Sequence, residues 1–131
     1  DKLTSLEKLY LKNNKDLTKI EGLDGLINLK ELNFDGSAIN KMENLNLPSL
    51  KELNISHTNI SKMENMKGLP NLYLLEMYET PIEKIEGYRD APKLIYVSTD
   101  SHVKVNKKNK FAFEFLKKRD EARHSWDGSR F

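Results

Sequence analysis

Residues 50–72 read LKELNISHTNISKMENMKGLPNL, and this stretch decides the fold. Its first nine positions place apolar side chains at Leu50, Leu53 and Ile55 and a polar one at Thr58. Alternation through Leu53 and Ile55 has the period of a short strand with one buried face. Beyond it, Ile60, Met63, Met66 and Leu69 are spaced by three. That spacing returns one side chain per turn to the core of a tight extended or 3₁₀-like segment. Pro70 stands two residues before Leu72, where the pattern starts again. Its fixed φ and missing N–H suit the corner leading into a strand.

Outward from this unit, the same pattern opens at Leu6, Leu29, Leu72 and Leu94, so that it recurs every 21 to 23 residues. The units run Leu6, Leu9, Leu11, Asn14; Leu29, Leu32, Phe34, Ser37; Leu72, Leu75, Met77, Thr80; and Leu94, Val97, Thr99, His102. Pro48 and Pro92 fill the slot of Pro70. Such a period marks a solenoid whose units bury their apolar faces only by stacking.

The string LxxLxLxxNxxLxxIxxL, read from Leu6 to Leu23, resembles the leucine-rich-repeat superfamily. The short returning segments resemble most the 22-residue class found in bacterial internalins and in a nuclear regulatory subunit of protein phosphatase 1. This resemblance implies an α/β-class fold, a right-handed curved solenoid with a parallel concave sheet of about five short strands. It also implies a convex side of 3₁₀ and extended segments, and protein recognition as the activity. The family asparagine survives only as Asn14; Ser37, Thr58, Thr80 and His102 take the later slots, where hydroxyls cap the same turn more weakly.

The solenoid is expected over residues 1–105, with a helical cap and basic tail over 106–131. In that tail Phe111, Ala112, Phe115 and Leu116 share a helical face, which Ala122 and Trp126 extend. Asn109 suits an N-cap and Gly128 a stop. The charge is uneven. Residues 1–101 hold 13 basic and 16 acidic residues, whereas 102–131 hold 9 and 4. The favoured reading is a cap that covers the last unit with its aromatics; the other is a basic helix that binds nucleic acid or anionic lipid. At the other end, Leu3 already occupies an end-of-repeat slot with no capping element ahead of it. A fragment or a processed chain is expected on that ground.

The 131 residues fit one domain, and no apolar run approaches the length of a membrane span. Cysteine is absent, which removes disulfides and thiolate sites without choosing a compartment. The compartment stays open; the resemblance favours a secreted or cell-surface bacterial protein over a cytoplasmic one. Two sequons, at Asn54 and Asn59, are given no weight in an asparagine-rich chain.

Stacking the units predicts columns of outward side chains on the concave face. The first reads Lys8, Glu31, Glu52, Leu74, Tyr96; the second Tyr10, Asn33, Asn54, Glu76, Ser98; the third Lys12, Asp35, Ser56, Tyr78, Asp100. The central units form an acidic strip of Glu31, Asp35, Glu52 and Glu76. The C-terminal units bring Leu74, Tyr78 and Tyr96 together, residue types suited to an interface. Tyr10, Glu31, Asp35, Glu52, Leu74, Glu76, Tyr78, Tyr96 and Asp100 are the expected partner-binding residues. They suit a protein with a basic patch beside an apolar anchor. The competing reading is a tyrosine pair packed on its neighbours, or a face partly covered by the cap.

Catalysis is not expected. His57, Glu79 and Ser101 share one column, but a triad needs histidine between acid and nucleophile, and stacking puts Glu79 in the middle. A His57–Glu79 pair lacks the further ligands of a closed metal site. No glycine-rich phosphate loop occurs, and no cofactor is called for. The chain reads as a recognition module; the remaining alternative is a structural or targeting segment of a larger protein.

Overall fold

The structure, a computed structural model, describes residues 4–100 and 103–105. Five of its strands, β1 (Lys8–Tyr10), β2 (Glu31–Asn33), β3 (Glu52–Asn54), β4 (Leu74–Glu76) and β6 (Tyr96–Ser98), form one parallel sheet in the order β1-β2-β3-β4-β6. The register is that of the repeat. Lys8, Glu31, Glu52, Leu74 and Tyr96 stand side by side, as do Tyr10, Asn33, Asn54, Glu76 and Ser98. Between these two columns runs Leu9, Leu32, Leu53, Leu75, Val97, which is buried from Leu32 onward.

Each strand begins on a shared carbonyl. Lys30 O accepts from both Lys51 N and Glu52 N, Lys51 O from Tyr73 N and Leu74 N, and Tyr73 O from Ile95 N and Tyr96 N. The three-residue spacing of the returning segments matches bonds of the 3₁₀ type. Leu69 N donates to Met66 O and Leu72 N to Leu69 O, as Ala91 N does to Tyr88 O and Leu94 N to Ala91 O. Tyr88–Asp90 closes a full 3₁₀ turn. The side chains so returned, from Ile39 and Met42 to Ile82 and Ile85, join the strand leucines in one core.

Two further columns have left-handed backbone. Asn13, Gly36, His57 and Glu79 follow the strands with φ of 56°, 81°, 56° and 53°. Gly22, Asn44, Asn65 and Gly87 take φ of 76°, 55°, 56° and 69° in the returning segments. Asparagine tolerates this conformation and here also bonds with its side chain. Asn44 Nδ2 donates to Ile20 O and Asn65 Nδ2 to Met42 O, each tying its unit to the one before.

The polar slots behave unequally. Thr58 Oγ1 donates to Ile55 O at 2.7 Å and Thr80 Oγ1 to Met77 O at 3.1 Å, the turn capping expected of hydroxyls. Ser37 departs from that expectation. Its Oγ is buried without a hydrogen-bond partner, and the equivalent carbonyl, Phe34 O, accepts from Ser37's own N–H. Asn14 is exposed. Leu6, Leu9, Leu11 and Leu17 are only partly buried, unlike their equivalents in the next unit.

One element was not foreseen. β5 (Lys84–Ile85) pairs in parallel with β7 (Lys104–Val105) as a second, two-stranded sheet. The helical cap expected over 106–131 lies outside the described residues, as do Ser101 and His102.

Candidate functional site

Alternation along β1 to β4 sends two side chains of each strand away from the core, and these build the candidate face. Its centre is a shallow depression lined by Tyr10, Glu31, Asn33, Glu52, Asn54 and Glu76. Thus four of the residues expected at the interface, Tyr10, Glu31, Glu52 and Glu76, surround one concavity. Leu74 and Tyr96 stand next along the first column, on β4 and β6.

Most of the acidic strip is held by neighbours. Tyr10 Oη donates to Glu31 Oε1 at 2.7 Å, and Lys8 Nζ lies 3.7 Å from Glu31 Oε2. That hydrogen bond raises the Tyr10 pKa above its ordinary phenol value, with smaller contributions from burial and from the charges of Glu31 and Glu52. Losing the phenolic proton there would set two anions against each other. Tyr10 is nonetheless 55% exposed, more open than the aromatics Tyr73, Tyr78 and Tyr96, which are partly buried. Glu52 Oε2 accepts from Tyr73 Oη at 3.2 Å, a longer contact.

Asn33 and Asn54 serve the backbone. Their Oδ1 atoms accept from Asp35 N and Ser56 N at 2.8 Å, bending the chain as it leaves each strand. The third column therefore does not continue the flat face. Ser56, expected to point outward, is buried, and its Oγ accepts from Tyr78 N. Ser98 is likewise buried. Asp100 Oδ2 accepts from Glu79 N at 2.7 Å and lines a second depression with Thr58, Asn59, Thr80 and Pro81. Asp35 pairs with His57, Oδ1 to Nδ1 at 2.9 Å. The histidine thus turns to the preceding unit, away from a pairing with Glu79. Among the described residues no three His, Cys, Asp or Glu side chains come together to hold a metal ion.

The apolar end is less open than the sequence suggests. Leu74, Tyr78 and Tyr96 are each partly buried. The aromatic that meets Tyr96 is Tyr73, with ring centroids 6.1 Å apart and planes at 69°, an edge-to-face pair. Tyr73 and its neighbour Ile95, which is 38% exposed, were missed because they precede the strands and fall outside the alternation. A signal existed. Stepping unit by unit from Glu7 gives Lys30, Lys51, Tyr73 and Ile95, a rim column that changes from charged to apolar along the solenoid.

Neither a family model nor a curated protein matches the chain. Solved structures do. An internalin, InlF, from Listeria monocytogenes matches with a TM-score of 0.60 and 20% sequence identity over 87% of this chain. The functional domain of InlJ from the same species, which includes a cysteine ladder, matches with a TM-score of 0.47 and 20% identity over 74%. The chain spans 39% of the InlF chain and 25% of the InlJ chain. With the parallel ladder and the 22-residue turns, the fold is that of a leucine-rich-repeat solenoid. Within that architecture it is of the internalin-like kind.

Proposed function

We propose that this chain is a non-catalytic recognition module that binds a protein through the exposed face of its five-stranded sheet. The observation carrying this reading is the composition of that face. Glu31 and Glu52 stand directly beside each other in the ladder, with Glu76 one strand further along. Like charges opposite one another on neighbouring strands are destabilising. Lys8 and Tyr10 hold Glu31 and Tyr73 holds Glu52, and a cationic partner suits the row that these carboxylates form with Glu76. Beside them lie the apolar Leu74 and the tyrosines Tyr73 and Tyr96, the latter of the kind that anchors interfaces. The partner that fits carries a basic patch next to an apolar anchor.

Tyr78, Asp35 and Asp100 extend the face at the strand exits and serve as its rim. A secreted or surface-exposed bacterial setting belongs to this reading, as does the division into a solenoid over 1–105 and a basic terminal segment. Five strands span about 20 Å, so the isolated face gives a small interface of modest affinity.

The test is selection of binders from a displayed protein library on the full chain. Enriched binders should lose most of their affinity for the Glu31→Gln/Glu52→Gln/Glu76→Gln protein and for Tyr96→Leu, and should weaken in high salt. Binders indifferent to both variants would place recognition elsewhere.

A further inference from the structure

Tyr73 lies between the acidic and apolar halves of the face and touches both. Its hydroxyl donates to Glu52 and its ring meets Tyr96 edge-on. Its backbone is fixed from both sides, because Tyr73 N donates to Lys51 O while Tyr73 O accepts from Ile95 N and Tyr96 N. The backbone is therefore a rigid piece of the ladder, while the ring is held by the 3.2 Å bond at its tip and the edge-on contact with Tyr96, the first long enough for a bound cation to tighten. From Glu52 on β3 to Tyr96 on β6 there are two strand spacings, about 10 Å.

We propose that Tyr73 joins Glu52 and Tyr96 into one composite subsite. It reads a cationic and an apolar side chain of an extended partner segment as a pair set about 10 Å apart. This rests on the reading that the face binds protein, and adds the spacing that the ladder sets and the residue that couples its two ends. A carboxylate has about four lone-pair sites, so Glu52 can keep the tyrosine bond on Oε2 and still receive a cation. A cation there immobilises the carboxylate, which steadies the Tyr73 hydroxyl and, through the ring, the edge that Tyr96 packs against. The ordering cost is met once, and an apolar anchor arriving at Tyr96 finds it already met. Two ligand groups that draw on one ordering step bind cooperatively. An extended chain advances about 3.3 Å per residue, so the two groups belong on residues three apart.

Two synthetic peptides of equal composition test this, acetyl-Arg-Gly-Gly-Trp-amide and acetyl-Gly-Arg-Trp-Gly-amide. Each is titrated into the full chain and followed by amide chemical shifts, which also report whether each variant is folded. The first should bind about fivefold tighter than the second, the lower end of ordinary coupling between sites. Glu52→Gln and Tyr96→Leu should each weaken it, and the double variant should lose less than the product of the two losses. Tyr73→Phe keeps the ring and removes the hydroxyl. In that background the losses should multiply, and the first peptide should keep only the part of its preference that the ladder spacing gives. Multiplicative losses in the parent protein, or losses that still fail to multiply in the Tyr73→Phe protein, would overturn the coupling while leaving the face as a binding site. If neither peptide shifts the amides of Glu52 and Tyr96, both readings fall.

Discussion

On β2, β3 and β4 the middle residue enters the core while the residues on either side of it face away, and the two sides vary differently along the sheet. The inner column changes only from Leu32 to Leu53 to Leu75, because each side chain must fill the same space between two neighbours. The outer column passes from Glu31 and Glu52 to Leu74 over the same distance, and to Tyr96 one strand further. One backbone register thus carries a side that admits almost no chemical change and a side that reverses its chemistry in two strand spacings. The inner side explains why the chain folds. The outer side is where one repeat differs from the next, which is why the proposed recognition is placed there.

The sharpest way to break the inner side is at Gly68. A Cβ there would clash with Leu45 O and lie 2.9 Å from Asn46 Cα, both backbone atoms of the preceding unit. Nothing flexible can yield, and separating the units would break the bond from Leu47 N to Gly68 O. Gly68→Ala should cost about 3–5 kcal/mol, combining overpacking with a lost buried hydrogen bond. Chemical denaturation measures it, and a cost below about 1 kcal/mol would show that the units are less closely stacked.

Neighbouring positions on β3 test the contrast directly. Leu53→Ala opens a cavity between Leu32 and Leu75 and should cost about 2–5 kcal/mol. Glu52→Gln, one residue away, removes one of two like charges set side by side while keeping an acceptor for Tyr73. Its stability should stay within about 0.5 kcal/mol of the parent. A comparable loss from both would erase the distinction between the two sides.

Much of the inner side could be read in the sequence. The 22-residue period, the strand alternation and the three-residue spacing of Ile60, Met63, Met66 and Leu69 each correspond to burial that the structure shows. The register of the first two outer columns was also legible, because a parallel ladder simply repeats the period, whereas the burial of Ser56 and Ser98 was not. What escaped was set by backbone conformation. Asn13, Gly36, His57 and Glu79 share no chemistry, and only their common positive φ makes them a column. His57 could therefore be weighed, and set aside, only on its side-chain chemistry, when its position is first a turn position. Tyr73 escaped because its role comes from two contacts made across units, to Glu52 and to Tyr96, and neither leaves a mark in alternation. The second sheet escaped because two-residue strands are too short to alternate.

Glu79 tests whether that left-handed column carries strain. A side chain with Cβ costs roughly 1–2 kcal/mol in this conformation, whereas glycine adopts it freely. Glu79→Gly should remove that cost and lose part of the gain, about 0.4–1 kcal/mol, to the greater freedom of the unfolded chain. The expected result is a net stabilisation of about 0.5 kcal/mol, with the bond from Glu79 N to Asp100 retained. Destabilisation would mean that the Glu79 side chain makes a favourable contact that outweighs its backbone strain.

The smallest effect sits on the outer side, at Tyr10. Its hydrogen bond to Glu31 raises its pKa, so the folded state holds the phenolic proton more tightly than the unfolded one. The sign follows. The contribution is fully present below the ordinary tyrosine pKa of about 10 and is lost as pH rises through the higher folded value. At neutral pH it is constant and invisible. Glu31→Gln removes the charge and should return the Tyr10 titration toward the ordinary value, observed through ring chemical shifts between neutral and strongly alkaline pH. The stability difference between parent and variant should change only above about pH 10. A Tyr10 titration identical in both proteins would mean that the hydroxyl does not rest on Glu31 in solution. Glu31 would then be held by Lys8 alone, and the depression at the centre of the face would be wider and more negative than the hydrogen-bonded arrangement makes it.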